Sequence, residues 1–184
     1  MKKQVFLIHG LGDDGSMHWF PWLAGELKAR GFEVCAPTMP HTGTPKLSEW
    51  LTFLKGYVGR PGRNSYFVGH SLGCISIVRY LASLTSDVQI GGSVFVAGSV
   101  GDNNPEIAEF YETPFDIERA KDHCKNFVTI FSDNDPEVSL DRGIEFQRAL
   151  GARLIIEKGK GHFCADDGVT SLPNAFSSII KMSS

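Results

Sequence analysis

The sequence predicts a doubly wound, three-layer α/β/α domain built on a mostly or wholly parallel sheet of about six strands. Three observations carry that prediction. Short, nearly continuous apolar runs recur along the 184 residues, the pattern of strands covered on both faces. Segments of helical period alternate with them, which implies right-handed crossovers between parallel strands. No repeat, low-complexity block or linker interrupts the alternation, and the length suits one core, so residues 1–184 read as a single domain.

The first strand is Val5–Ile8. It leads to a helix on which Trp19, Trp22, Leu23 and Leu27 recur at helical spacing, with Pro21 tolerable only in the first turn and Gly31 as the stop. Glu33–Ala36 is the second strand. Leu47, Trp50, Leu51, Leu54 and Val58 repeat the helical spacing after a loop containing Pro40, Gly43 and Pro45. Tyr66–Val68 is the third strand, followed by a helix through Leu72, Ile75, Val78, Leu81 and Ala82. Val94–Ala97 is the fourth. Ser99–Cys124 is different: two prolines, several acids and a weak apolar stripe predict short helices over the sheet edge. That segment either borders an active site or serves as an ordinary crossover. Phe127–Phe131 and Leu154–Ile156 complete the strands, separated by a helix that carries Leu140, Ile144, Phe146 and Leu150 and closes at Gly151. Leu172, Ala175, Phe176, Ile179 and Ile180 give the cleanest stripe, at the end of the chain.

Composition excludes several classes. Eighteen Lys and Arg against 21 Asp and Glu leave a formal net charge of -3, with no basic footprint for nucleic acid or an anionic membrane. The apolar runs fall far short of the ~20 residues of a membrane-spanning helix. The run after Lys2 and Lys3 stops at His9, below the ~7–15 residues of a signal-peptide core. A cytoplasmic location is the expectation. Cys35, Cys74, Cys124 and Cys164 form no Cys-x-x-Cys pair and read as small buried hydrophobes rather than disulfides or metal ligands.

Two glycine motifs compete for the chemistry. Gly10-Leu11-Gly12-Asp13-Asp14-Gly15 follows the first strand and satisfies the dinucleotide pattern G-x-G-x-x-G. Two carboxylates inside a loop meant for two phosphates repel them, and Ala36-Pro37-Thr38 stands where the ribose-binding acid belongs. Gly69-His70-Ser71-Leu72-Gly73 follows the third strand and opens an apolar helix, the strand–turn–helix setting that G-x-S-x-G requires. Ser71 then needs a base, and the base an orienting acid. Both follow in order at later strand ends: Ser132-Asp133-Asn134-Asp135-Pro136, then Gly159-Lys160-Gly161-His162-Phe163. Asp135 is preferred to Asp133 because Pro136 and Val138 turn the chain toward the next helix. Leu72 opens the helix with an amide free to meet an oxyanion. His9 and His70 read as scaffold beside this site, His18 as a first-turn residue, and Asp166 and Asp167 as a solvated loop. Trp19, Trp22, Phe110, Tyr111 and Phe115 are candidates for an acyl pocket, though helical spacing makes the first two packing residues.

These residues resemble the α/β-hydrolase superfamily. More narrowly, the chain resembles small, nearly lidless serine hydrolases of the retinoblastoma-binding-protein-9 type and their bacterial relatives. The likeness runs through His9-Gly10-Leu11-Gly12, Trp19-Phe20-Pro21-Trp22-Leu23, the two motifs above and Thr170-Ser171-Leu172-Pro173. It implies a minimal hydrolase fold lacking the sheet's first two strands, a Ser71–Asp135–His162 triad, and an oxyanion hole from the Leu11 and Leu72 amides. No cofactor or metal is called for. The expected partner is a small acyl substrate, an ester, thioester or activated amide, with a monomer as the default state. The alternative is a protein-interaction module whose hydrolase site is vestigial or secondary.

Overall fold

Each strand splits its side chains by period two, and the split defines the layers. In the computed structural model, which describes residues 2–184, the strands are β1 (Gln4–Ile8), β2 (Glu33–Cys35), β3 (Ser65–His70), β4 (Gly92–Val96), β5 (Phe127–Ser132) and β6 (Arg153–Glu157). Phe6, Ile8, Phe67, Phe95, Phe127 and Phe131 face one side of the sheet. Val5, Leu7, Val68, Val94, Val96 and Ile130 face the other. The first side is covered by α2 (Leu47–Val58), α3 (Leu72–Ala82) and α6 (Leu140–Leu150), the second by α1 (Phe20–Ala29) and α7 (Pro173–Met182). Both cores are built mainly of apolar side chains, which is why the strands read as nearly continuous runs.

The sheet order is β2-β1-β3-β4-β5-β6, and every pairing is parallel. The chain therefore steps outward from β1 to β2, then returns to the opposite side of β1 with β3. That reversal separates the loops after β1 and β3 at their carboxyl ends, where open α/β sheets form their binding crevice. The central helix α3 is buried along its whole length.

Two expectations need correction. The edge strands β2 and β6 are only partly covered, because each has a neighbour on one side alone. The segment after β4 does not lie over the sheet edge. It forms a 3-10 turn at Pro105–Ile107, α4 (Glu109–Glu112) and α5 (Ile117–His123), and α5 packs against α3 and α6 as the crossover to β5. Among the described residues, no helix is long and apolar enough to cross a membrane.

Candidate active site

Backbone crowding builds the turn after β3. A Cβ at Gly69 would lie 2.8 Å from the Cys74 nitrogen, and one at Gly73 would lie 2.1 Å from the Ile8 carbonyl oxygen. Only glycine lets α3 start this close to β1. Between them Ser71 is held at φ 51°, ψ -122°, a left-handed conformation unusual for a residue with a Cβ. Its amide donates to the Val96 carbonyl at 2.9 Å, which ties the turn to β4. The hydroxyl-bearing side chain lines a cavity of about 230 Å³. The Leu72 amide begins α3, where first-turn N–H groups have no intrahelical acceptor.

The glycines of the first loop have a packing reason too. A Cβ at Gly10 would come within 3.0 Å of the Ser71 Cβ, and one at Gly15 within 2.0 Å of the Ala36 carbonyl oxygen. The loop is shaped by contact with the serine turn and with the end of β2. Leu11, between them, lines the same cavity as Ser71.

Hydrogen bonds, in contrast, build the loops after β5 and β6. Ser132 Oγ accepts from the Lys160 amide at 2.9 Å, Asp133 Oδ1 from Gly159 at 2.8 Å, and Asn134 Oδ1 from Gly161 at 2.9 Å. Three consecutive side chains thus hold three consecutive amides of the histidine loop. The fourth, Asp135, turns inward: His162 Nδ1 donates to its two oxygens at 3.0 and 2.9 Å. Asp135 Oδ1 also accepts from the Glu137 and Val138 amides at 2.8 and 2.9 Å, which fixes the carboxylate. Asp133 and Asp135 therefore do different jobs. Gly161, at φ 51°, has no room for a Cβ beside Asp167.

With Nδ1 carrying its proton to Asp135, Nε2 of His162 presents a lone pair. It has no hydrogen-bond partner and is buried, so the Ser71–His162 bond of a triad is not made in this structure. Glu137 Oε2 stands 3.4 Å from that nitrogen. Burial disfavours the imidazolium, but the hydrogen bond and charge of Asp135, then the charges of Glu137 and Asp167, outweigh it and lift the His162 pKa above 6.5.

A second polar network lies behind the site. Asp13 Oδ1 accepts from His18 Nε2 at 3.1 Å, and Asp13 Oδ2 lies 3.7 Å from His70 Nδ1. His70 Nε2 donates to the His162 carbonyl at 2.8 Å, while His18 Nδ1 accepts from the Ala165 amide at 2.9 Å. Asp13 thus braces the histidine loop through His18, and His70, 3.7 Å from Asp13, holds it at a second point. Burial would raise the Asp13 carboxyl, but the hydrogen bond from His18 and the nearby His18 and His70 imidazoles hold it well below the usual carboxylate range. His18 lies ahead of α1 rather than in its first turn. His9 is locked as scaffold, Nδ1 donating to the Gly10 carbonyl and Nε2 accepting from Met39, both at 2.8 Å.

Asp13, His18 and His70 bring ligand-type atoms within 4.8 Å of one another. Both His18 nitrogens are already committed, one accepting from Ala165 and one donating to Asp13. The set therefore suits proton sharing better than ion coordination.

The cavity is roofed by the segment after β4, through Asp102, Asn104, Ile107 and Tyr111. One segment thus serves as both crossover and site wall. Its roof is anchored by buried Arg79 on α3, whose Nε donates to the Phe110 carbonyl at 2.6 Å and whose Nη2 donates to Thr113 at 2.5 Å. Of the aromatic candidates only Tyr111 lines the cavity. Phe110 packs on Trp50, Phe115 lies under Arg79, Trp19 meets Phe20 and His70, and Trp22 meets Phe176.

A parallel doubly wound sheet with a strained serine after β3 and an Asp–His pair at the ends of β5 and β6 defines the class: an α/β-hydrolase. The serine hydrolase family matches residues 5–181, and the chain belongs to that family. YdeN of Bacillus subtilis (strain 168) is 35% identical over 176 residues, covering 94% of this chain and 92% of YdeN. The crystal structure of the ydeN gene product superposes with a TM-score of 0.95 at 32% identity, covering 99% of each chain. Est1E from Butyrivibrio proteoclasticus shares the fold, with a TM-score of 0.74 at 16% identity over 99% of this chain and 88% of that one. The protein is an enzyme, a serine hydrolase.

Proposed function

We propose that the protein cleaves small carboxylic esters, thioesters or activated amides through an acyl-enzyme on Ser71. His162 Nε2 takes the Ser71 proton as Oγ attacks the acyl carbon, then gives it to the departing alcohol, thiol or amine. Asp135 keeps the proton of neutral His162 on Nδ1 and stabilises the imidazolium. The Leu11 and Leu72 amides receive the negative charge that develops on the acyl oxygen, worth roughly 3–4 kcal/mol per donor in comparable sites. Water then follows the same route in reverse roles and releases the acid.

The observation that carries this reading is the His162–Asp135 pairing, which leaves a basic lone pair on Nε2, next to Glu137 of the cavity wall. The Ser71–His162 hydrogen bond is expected to form in the complex with an acyl group, since catalytic hydrogen bonds tighten in the bound state. The cavity of about 230 Å³ lies below the ~300–1,000 Å³ of sites for drug-sized ligands, which favours short acyl groups. Narrow kinship with the retinoblastoma-binding-protein-9 type is part of the same proposal, on the short chain and the modest roof. The test is a fluorophosphonate probe followed by peptide mass spectrometry. An adduct on Ser71, lost in His162→Ala, is expected; a folded protein that takes no adduct would overturn the reading.

A further inference from the structure

Resting on that reading, we propose that Glu137 and Asp102 make the site selective for leaving groups that carry a positive charge. The leaving oxygen must come within hydrogen-bond reach of His162 Nε2 to be protonated as it departs. Glu137 Oε2 lies 3.4 Å from that nitrogen, so the departing group passes directly beside this carboxylate. Asp102 contributes a second carboxylate to the same cavity, its Oδ1 held by the Asn104 amide at 2.8 Å. No Lys or Arg lines the cavity among the described residues. Arg142, on α6, acts on the Tyr111 hydroxyl from outside the lining.

The two acids are not simply a solvated patch. Glu137 borders a nitrogen that is buried and unpartnered, the atom that must protonate the leaving group, and Asp102 stands on the wall of the same cavity as Glu137. The rest of the wall is uncharged: Leu11, Ala97, Ile107 and Val138 are apolar, and Ser71, Asn104 and Tyr111 are neutral polar groups. A pocket whose only charged groups are two carboxylates, one of them beside the departing oxygen, fits an alcohol such as an amino alcohol or a quaternary ammonium alcohol. An anionic alcohol of the same size meets repulsion twice. Glu137 is exposed over much of its surface, with 66% of its side chain open to solvent, so the effect is a screened one of about tenfold for each unit of leaving-group charge.

Three acetate esters of similar size test this on the wild-type protein: acetylcholine, its uncharged isostere 3,3-dimethylbutyl acetate, and 3-acetoxypropanoate. The expected order of kcat/KM is cationic, neutral, anionic, with about tenfold between neighbours at low salt. The spread should contract as sodium chloride is raised. Glu137→Gln and Asp102→Asn should each shrink the cationic-to-neutral ratio several-fold. Equal kcat/KM for the three esters, or a ratio unmoved by salt and by both variants, would overturn the charge selection. Failure to cleave the neutral ester at all, with no fluorophosphonate adduct on Ser71, would instead overturn the hydrolase assignment on which it rests.

Discussion

The serine turn and the acid–histidine loops sit at the same end of the sheet and are held by opposite means. Around Ser71 the constraint is steric: α3 lies so close to the end of β3 at Gly69, and to the end of β1 at Gly73, that neither glycine has space for a methyl group. Around His162 the constraint is a lattice of hydrogen bonds, from Ser132, Asp133 and Asn134 in front and from His18 and His70 behind. Close packing is stiff and fails abruptly. A hydrogen-bond lattice fails one member at a time, since each bond contributes about 1 kcal/mol net. Ser71, the proposed nucleophile, is therefore fixed by the core itself, while His162, the proposed base, is placed by replaceable polar contacts.

That difference can be broken by mutation. The largest effect belongs to Ser71→Ala, which should lower kcat by about 10⁴-fold or more. The fold should survive, because Ala occupies the same backbone with one atom fewer; circular dichroism beside ester turnover checks both. Within the polar loops, Asp135→Asn should cost about 10³–10⁴-fold in kcat by favouring the wrong imidazole tautomer. Asp133→Asn, which touches only the Gly159 amide, should cost less than about tenfold. Equal losses from the two would contradict their separate roles.

Gly73→Ala probes the steric side. A Cβ 2.1 Å from the Ile8 oxygen and 2.7 Å from the His9 oxygen can be relieved only by moving backbone. Unfolding in urea should show a loss of about 3 kcal/mol or more. Ser71→Ala, by comparison, should leave the urea midpoint nearly unchanged.

The smallest effect is a pH shift. His162 is faced by Asp135, Glu137, Asp167 and His70, and its pKa lies above 6.5. In the proposed mechanism the neutral ring is the base, so kcat/KM should fall as pH drops through that raised pKa. Glu137→Gln should move this limb toward lower pH by less than about one unit, because its carboxylate is solvent-screened. The stability linkage runs the other way. A raised folded-state pKa stabilises the protein below 6.5 and loses that contribution as pH rises through the folded value. Activity and this part of the stability should thus trade against each other across one titration. Asp13 has the reverse sign: its contribution is present above 3.8 and lost as pH falls below it.

The sequence exposed the strands, the helices and the serine turn because each is written in neighbouring residues: apolar runs, helical spacing, glycines flanking Ser71. The order of Ser71, Asp135 and His162 along the chain was legible for the same reason, since each ends a strand. The bracing by Asp13 was not. It joins residues 13, 18, 70, 162 and 165, which only the folded chain brings together. Its acids had a visible but negative meaning, as groups hostile to phosphate. Arg79 was hidden because its partners are backbone carbonyls, which leave no trace in side-chain patterns. Glu137 was hidden because an exposed acid two residues after Asp135 resembles any solvated turn.

The most direct test of the central claim is to catch the acyl-enzyme. A p-nitrophenyl acetate reaction would be quenched in acid within milliseconds and the acetyl group located by peptide mass spectrometry. Acetyl on Ser71 in the wild type, and none on that peptide in His162→Ala, is the predicted result. Turnover with the acetyl group on another residue, or with no acylated protein at any time, would contradict it.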